Sequence, residues 1–446
     1  MRGSRDIIRD FVHRARGVDR PALGKQLRLI IILLLLWGLT AQAQGQPPDL
    51  ARLSLADADA LLAQKNRELQ AARRAVESAA AATLSAGQQP NPNLSLGTIN
   101  INPSRGIGAG SLREKAVDST IRLDQLIERG NKRELRVATA QKLEAASGED
   151  LADVLRQQRL ALRASYYDLL LAQDRVAISA GTAALYQQSL RAADLRLKAG
   201  DIASSDVSRI RVDALRAQND ARAAEADRKR AQLALAYMIG AEQRADQLKA
   251  TDAWPAPQAA ATTDLDELIE RRPDVRAARA RIEAANAGRE LARSLRTRDV
   301  TVGAQFEHYP DIYGNTSNSY GFGVSVPLFT RYYFEGEIAQ AESAYNSAID
   351  NVERTRAVAR SEMAKALSDV TAAAERLARF QDNLLAEAKK SADSAEFAYK
   401  NGAIGVMDLL DARRTLRAIQ LDAAAAQADY AKALAAWQFG SLQGAE

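Results

Sequence analysis

The second half of this 446-residue chain repeats the first. Leu69, Ala71, Ala72, Arg73, Val76, Glu77 and Ala79 recur 206 residues later as Val275, Ala277, Ala278, Arg279, Ile282, Glu283 and Ala285. The same offset carries Leu94-Ser95-Leu96-Gly97 onto Val300-Thr301-Val302-Gly303. Beyond a loop the offset becomes 202, and it then pairs Leu126 with Leu328, Gly200 with Gly402, Asp206 with Asp408 and Arg211 with Arg413. A period this long is not that of a solenoid, whose units are about 20 to 50 residues. It marks a duplicated unit, and the unit is where function is to be sought.

Each copy reads helix, strand, loop, strand, very long helix, turn, helix. The first copy spans 44–240, with a hairpin at about 93–126, a long helix at about 131–199 and a turn at 199–205. The second spans 263–441, with the hairpin at about 299–329, the long helix at about 333–400 and the turn at 401–405. Residues 241–262, with Trp254-Pro255-Ala256-Pro257, read as a linker with little regular structure, and 442–446 as a tail. The opening helices are expected to run from about Leu53 to Ala86 and from about Leu265 to Leu295. Between Lys132 and Ala199 there is no proline and only two glycines, so that helix would reach roughly 100 Å at about 1.5 Å per residue. Leu155, Leu162, Leu169, Val176, Ala183, Leu190 and Leu197 recur every seven residues as a coiled-coil seam. The second copy offers Ala357, Ala364, Thr371, Ala378, Leu385, Ala392 and Tyr399 at the matching places. Each long helix ends in a basic residue followed by a glycine turn, at Lys198-Ala199-Gly200-Asp201 and Lys400-Asn401-Gly402-Ala403. A return helix then starts near Ser205, with Ser204 or Ser205 as N-cap, and near Val406.

The strands show period 2. Val300, Val302, Ala304 and Phe306 alternate with Thr301, Gly303, Gln305 and Glu307, and Tyr320, Phe322, Val324 and Val326 alternate with small residues. Either a soluble sheet with one wet face or a membrane barrel would give that pattern. Tyr309, Tyr313 and Tyr320 stand where an aromatic girdle would lie.

Residues 29–39 form an apolar run of 11 after a basic segment and before Ala41-Gln42-Ala43. The run is shorter than the roughly 20 residues of a spanning helix and reads as a secretory signal cleaved after Ala43. Residues 1–43 carry eight basic and three acidic side chains, which is the whole net charge of +5. The mature chain is then close to neutral, and basicity gives no argument for nucleic acid. Cysteine is absent, so packing or assembly must stabilise a secreted chain, and the Cys of a lipoprotein anchor is missing. The mature chain keeps one histidine, His308, expected in a loop at a strand end. No residues have metal-ligand spacing, and Gly321-Phe322-Gly323 lies within a strand. An enzyme is thereby disfavoured, and neither metal nor cofactor is expected. A soluble periplasmic coiled-coil scaffold would explain the helices but not two alternating hairpins at equivalent points.

Four features together resemble the TolC family of bacterial outer-membrane efflux channels, over about residues 50–441. They are the turns Ala199-Gly200-Asp201-Ile202 to Asp206-Val207 and Asn401-Gly402-Ala403-Ile404 to Asp408-Leu409-Leu410-Asp411, Arg272-Pro273-Asp274-Val275, and Val324-Ser325-Val326-Pro327-Leu328-Phe329. Glu128-Arg129-Gly130-Asn131-Lys132-Arg133 looks like the CzcC-type, metal-cation branch. The resemblance implies a mainly α fold with a small β part. It also implies a homotrimer in which four strands per chain close a twelve-stranded outer-membrane barrel above a periplasmic α-helical barrel. Four strands cannot close a barrel alone, and lipid tolerates no open edge. The implied function is a passive exit duct for a periplasmic adaptor and an inner-membrane pump, often of the resistance–nodulation–division type, with heavy-metal cations as cargo. Organic compounds or type I secretion are the alternative. By the same resemblance Asp408 and Asp411 line a constriction, Ser205 and Asp206 tether the second tip through Tyr399, and Gly200, Asp201, Gly402, Ala403 and Ile404 form the tips that meet the adaptor. Ile404 stands where the family's tethering arginine would be, leaving Lys400 or packing to hold the closed state. The alternative is that Asp408 simply caps or solvates the helix start, with Asp411 exposed one turn on.

Overall fold

The computed structural model describes residues 49–99, 101, 104, 117–257, 264–309 and 317–440. The signal at 1–43, the end of the linker at 258–262, Tyr313 and the tail at 442–446 lie outside the described residues. Residues 49–53 are the described part of a first unit that ends at Leu53, and in it Leu50–Arg52 form a 3-10 turn capped by Asp49. The other unit begins at Ser54.

That unit opens with α1 (Leu55–Lys65) and α2 (Arg67–Ala86), where the sequence suggests one continuous helix. The break falls at Asn66. Its side chain accepts from Leu69 N–H and caps α2, while its Nδ2 donates to Met238 C=O at 3.1 Å. The second opening helix breaks in the same way, into α5 (Leu265–Arg271) and α6 (Pro273–Ser294), with Arg272 as N-cap and Pro273 at the first helical position. Proline has no N–H to give to a helix running through it, so it starts a new one. Arg272 is 1 % exposed, and its guanidinium reaches Asp274 at 2.7 Å and Glu362 at 2.9 Å.

The long helix α3 (Lys132–Ala199) runs unbroken for 68 residues and returns as α4 (Ser204–Ile239). The linker is more ordered than its composition suggests. Glu242–Gln247 form a 3-10 segment, and Leu248 and Ala250 are buried. Gln173 holds Ala250 through both its N–H and its C=O at 2.9 Å. The second long helix is divided into α7 (Glu335–Arg379), a π segment (Phe380–Leu384) and α8 (Leu385–Lys400), and the chain returns as α9 (Val406–Gly440). The π segment corrects the expected seam. Above it the buried positions are Met363, Val370 and Leu377, each one residue before the expected Ala364, Thr371 and Ala378. Below it Ala392 is buried as expected. A π turn holds one extra residue and so moves the seam on by one. One core cluster joins Leu268, Val275, Met363, Val370, Tyr430 and Trp437, from α5, α6, α7 and α9.

Four antiparallel strands, β1 (Asn93–Ile99), β2 (Asp118–Ile127), β3 (Val300–Tyr309) and β4 (Ser317–Ser325), form one sheet in the order β1-β2-β3-β4. Register sets Leu96, Ile121, Phe306 and Tyr320 in one row, and Leu94, Leu123, Ala304 and Phe322 in the next. This apolar face lies open, with Phe322 88 % and Val324 69 % exposed. The opposite face carries Arg122, Asp124, Gln305, Glu307 and glycines. Tyr309 falls on that polar face, where its hydroxyl bonds Glu307, so of the two described members of the expected girdle Tyr320 lies with the apolar rows and Tyr309 does not. His308 lies within β3 rather than in a loop, with Nδ1 2.8 Å from Asn318 Oδ1. Among the described residues no helix is long and apolar enough to cross a membrane.

The corner from β2 into α3 explains the Glu128–Arg133 segment. Gly130 has φ +75°, and a Cβ there would sit 2.7 Å from Thr297 Cβ. Buried Lys132 then pairs with Asp299 at 2.8 Å and donates to Thr297 C=O at 2.8 Å.

Candidate helix-tip gate

Both long helices stop by the same local device. Gly200 takes φ +82° and Gly402 φ +73°, in the left-handed region that glycine enters freely. Asp201 N–H then donates to Arg196 C=O at 2.9 Å, and Ala403 N–H to Ala398 C=O at 2.8 Å, each closing over five residues. These bonds satisfy the last helical carbonyls. A Cβ at either glycine would meet nothing within 4 Å, so the requirement is conformational rather than steric.

The return helices start differently from the expectation. The N-cap of α4 is Ala203, which offers no side-chain cap, and Ser204 and Ser205 are already helical. Asp206 sits in the first turn and pairs with Arg209 at 3.6 Å. At the second tip Asp408 Oδ2 accepts from Gly405 N–H at 3.3 Å. Asp408 therefore caps α9 while remaining exposed. Asp411, also exposed, lies one turn further along the same helix and adds its field to Arg414.

Within this chain the residues of the expected tether have other partners. Tyr399 lies under the Arg196 guanidinium, 5.4 Å from Cζ to ring centroid, while the partner of Asp206 is Arg209. Tyr399 and Ile202 pack against a buried cluster of Tyr186, Ala193, Val207, Ile210, Val406 and Leu410. Both tips thus share one apolar seam. Lys400 does not reach across; it pairs with Glu396 one turn back on α8 at 2.8 Å. A four-carbon stem at the exposed end of a helix finds its i−4 carboxylate first.

The links between the hairpins come from three arginines on α9 that sequence reasoning passed over. Arg413, 8 % exposed, donates to Ser189 Oγ of α3 at 2.6 Å and to Glu396 at 3.3 Å. Arg414 grips buried Asp213 of α4 with one nitrogen shared between both carboxylate oxygens, at 2.9 and 2.7 Å. Arg417 reaches Asp220 at 2.7 Å. The Asp213 hydrogen bond raises the Arg414 pKa further, and Glu396 is held below the usual carboxylate range by Lys400 and then Arg413. The visible signal was the run Arg413-Arg414-x-x-Arg417, whose members fall within about one turn of α9. Within the first hairpin Arg211 pairs with Asp194 at 3.1 Å, joining the long and return helices as Arg413 and Glu396 do in the second. A cleft of about 420 Å³ opens beside these links, lined by Leu185, Ser189, Arg196, Glu396, Tyr399 and Arg413 among others.

Known proteins are similar to this chain in sequence or in fold. The cobalt-zinc-cadmium resistance protein CzcC of Cupriavidus metallidurans is 26 % identical over 370 residues, 82 % of this chain and 84 % of that protein. A membrane protein of Pseudomonas aeruginosa superposes with a TM-score of 0.74 at 19 % identity, covering 86 % of this chain and 93 % of its own. CusC, whose structures concern folding and transmembrane channel formation, gives 0.72 at 18 % identity, with 86 % and 91 % covered. The sequence profile described as outer membrane efflux protein matches residues 60–241 and 265–438, most of the described helices and all four strands. The chain belongs to the outer membrane efflux protein family, which makes it a transport channel of the outer membrane rather than an enzyme.

Proposed function

We propose that the two halves are duplicated units, and that three copies assemble into one outer-membrane conduit. Their twelve strands close a barrel, and their long helices extend into the periplasm. The observation that carries this is the sheet itself. The apolar face around Phe322 lies open, and β1 and β4 are the outer strands of the sheet. In lipid both edges must be paired, and pairing β4 of one copy with β1 of the next satisfies them with an apolar belt outward and the Arg122 face toward water. The conduit acts as a passive exit duct for a periplasmic adaptor and an inner-membrane pump, with resistance–nodulation–division type the first candidate. Ser205, Asp206 and Tyr399 lie at the closed end, the turns Gly200-Asp201 and Gly402-Ala403-Ile404 meet the adaptor, and Asp408 and Asp411 from three copies ring the axis. Six carboxylates near an axis favour cations.

Similarity to a cobalt-zinc-cadmium resistance protein supports heavy-metal cations as cargo. The test has two parts. The purified chain in detergent should have the mass of a trimer and form pores in planar bilayers; a water-soluble monomer without pores refutes the conduit. Expression beside a cognate pump and adaptor in a strain lacking its own outer-membrane component should restore growth on cobalt, zinc or cadmium. Restored resistance to organic compounds alone would reassign the cargo.

A further inference from the structure

The polar face of the sheet is not covered by any layer of the described residues, yet its charged side chains do not stand up from it. Arg122 and Asp124 lie two residues apart on β2, on the same face. Arg122 Nε donates to Asp124 Oδ2 at 2.7 Å and Nη2 to Oδ1 at 2.8 Å, a fork running along the strand. Arg122 Nη1 donates across to Gln305 Oε1 at 3.1 Å, and Gln305 Nε2 to Glu307 at 3.1 Å. The two charged side chains are only 37 % and 21 % exposed, so they lie against the sheet.

Glycine makes room for them. Gly303 faces Asp124 in the register and is the one buried residue of β3. A Cβ there would fall well inside van der Waals contact distance of Asp124 Oδ1 and 2.9 Å from Arg122 Nη2. A Cβ on Gly321, opposite Gln305, would fall 2.9 Å from Gln305 Cγ. A Cβ on Gly323 would meet Arg122 Nη2 at 3.7 Å, an ordinary contact, so that glycine is not needed for the approach. Glycine weakens a strand interior, and at Gly303 and Gly321 it marks a close approach.

We infer that Gly303 and Gly321 form a recessed floor that holds Arg122, Asp124 and Gln305 flat, giving the conduit a low, charge-balanced lining at this level that keeps its bore wide. The inference rests on the trimeric conduit proposed above. Each arginine raised into the lumen would appear three times around one ring, narrowing it and placing an unpaired charge in the path. A lining of this kind passes cargo without sorting it and leaves selection to other levels of the tunnel.

Single-channel conductance and the potassium-to-chloride permeability ratio in planar bilayers test this, on the wild-type trimer, Gly303→Ala, Arg122→Ser with Asp124→Ser, and the three changes combined. Gly303→Ala should lower conductance, although one methyl adds little bulk itself. Removing Arg122 and Asp124 together should leave the permeability ratio unchanged. The triple variant should recover the conductance of that pair, because nothing remains to be lifted. Gly303→Ala conducting as wild type, a triple variant as low as Gly303→Ala, or a permeability ratio displaced by removing the pair would each overturn the inference while leaving the conduit intact. Wild-type protein that forms no pore would overturn the conduit and this lining with it. If Gly303→Ala fails to assemble, Gly321→Ala with Gln305→Ser as its rescue reads the same effect.

Discussion

Removing either partner of the Arg414–Asp213 link should have unequal consequences. Asp213 is buried, with its side chain 6 % exposed, whereas that of Arg414 is 48 % exposed. Arg414→Met leaves a buried carboxylate without its cation. Breaking a fully buried pair from one side costs about 3–5 kcal/mol, and the half-open side of Arg414 screens this to about 2–3 kcal/mol. Asp213→Asn leaves the guanidinium facing water, where it recovers solvation, so its cost should be near 1 kcal/mol. The double variant should lie below Arg414→Met, because no buried charge is left unpaired. Hydrogen exchange of the tip amides in α4 and α9 reads the local opening free energy directly. A loosened tip should also raise the leak conductance of reconstituted trimers in the same order. If Asp213→Asn opens the tip as much as Arg414→Met, or if neither changes exchange, the link does not hold the hairpins together.

Gly402→Val should impair efflux with the barrel intact. The strain of a φ near +73° is about 1–2 kcal/mol for a residue with a Cβ, and no clash adds to it; normal growth in a complementation assay would show the turn geometry is dispensable. Asp408→Asn with Asp411→Asn should reduce cation preference in planar bilayers, while unchanged selectivity would remove both from the conducting path. Acid should loosen the tip. Glu396 is held below its ordinary value of 4.5, so its contribution is full above that value and is lost as pH falls through the lower folded value. Tip exchange corrected for intrinsic rates should therefore rise as pH falls below about 4.5, and Glu396→Gln should remove most of that rise; an unchanged rise would place the titrating group elsewhere.

Features fixed by a residue's own backbone were readable without the structure. The left-handed turns at Gly200 and Gly402 and the end of α3 at Ala199 are local demands of glycine. The two-faced strands show in alternation alone. The breaks at Asn66 and Arg272 were obscured because helical periodicity continues across them, and only the N-cap and Pro273 mark the interruption. The misplaced seam in α7 has a different cause. In alanine-rich turns such as Ala372-Ala373-Ala374 neighbouring faces differ little in apolar character, so a shift of one residue leaves almost no trace. The arginine links were hidden because Asp213 and Ser189 lie some 200 residues from their partners, and nothing local distinguishes a cation that will bridge two hairpins from one that faces solvent.

The wide turn at Phe380–Leu384 lets one rod keep a single buried face although its sequence phase changes by one residue. Upstream, its buried line follows the packing of Met363, Val370 and Leu377; downstream, the same line reappears one step late at Ala388 and Ala392. It absorbs one surplus residue, so that the tip keeps the azimuth of the shaft. Excising a single residue inside it would let the rod close up as a regular helix with the tip still in place, whereas forcing the full-length segment into a regular helix would turn every side chain below it by about 100°, carrying Tyr399 out of the seam it shares with Ile202.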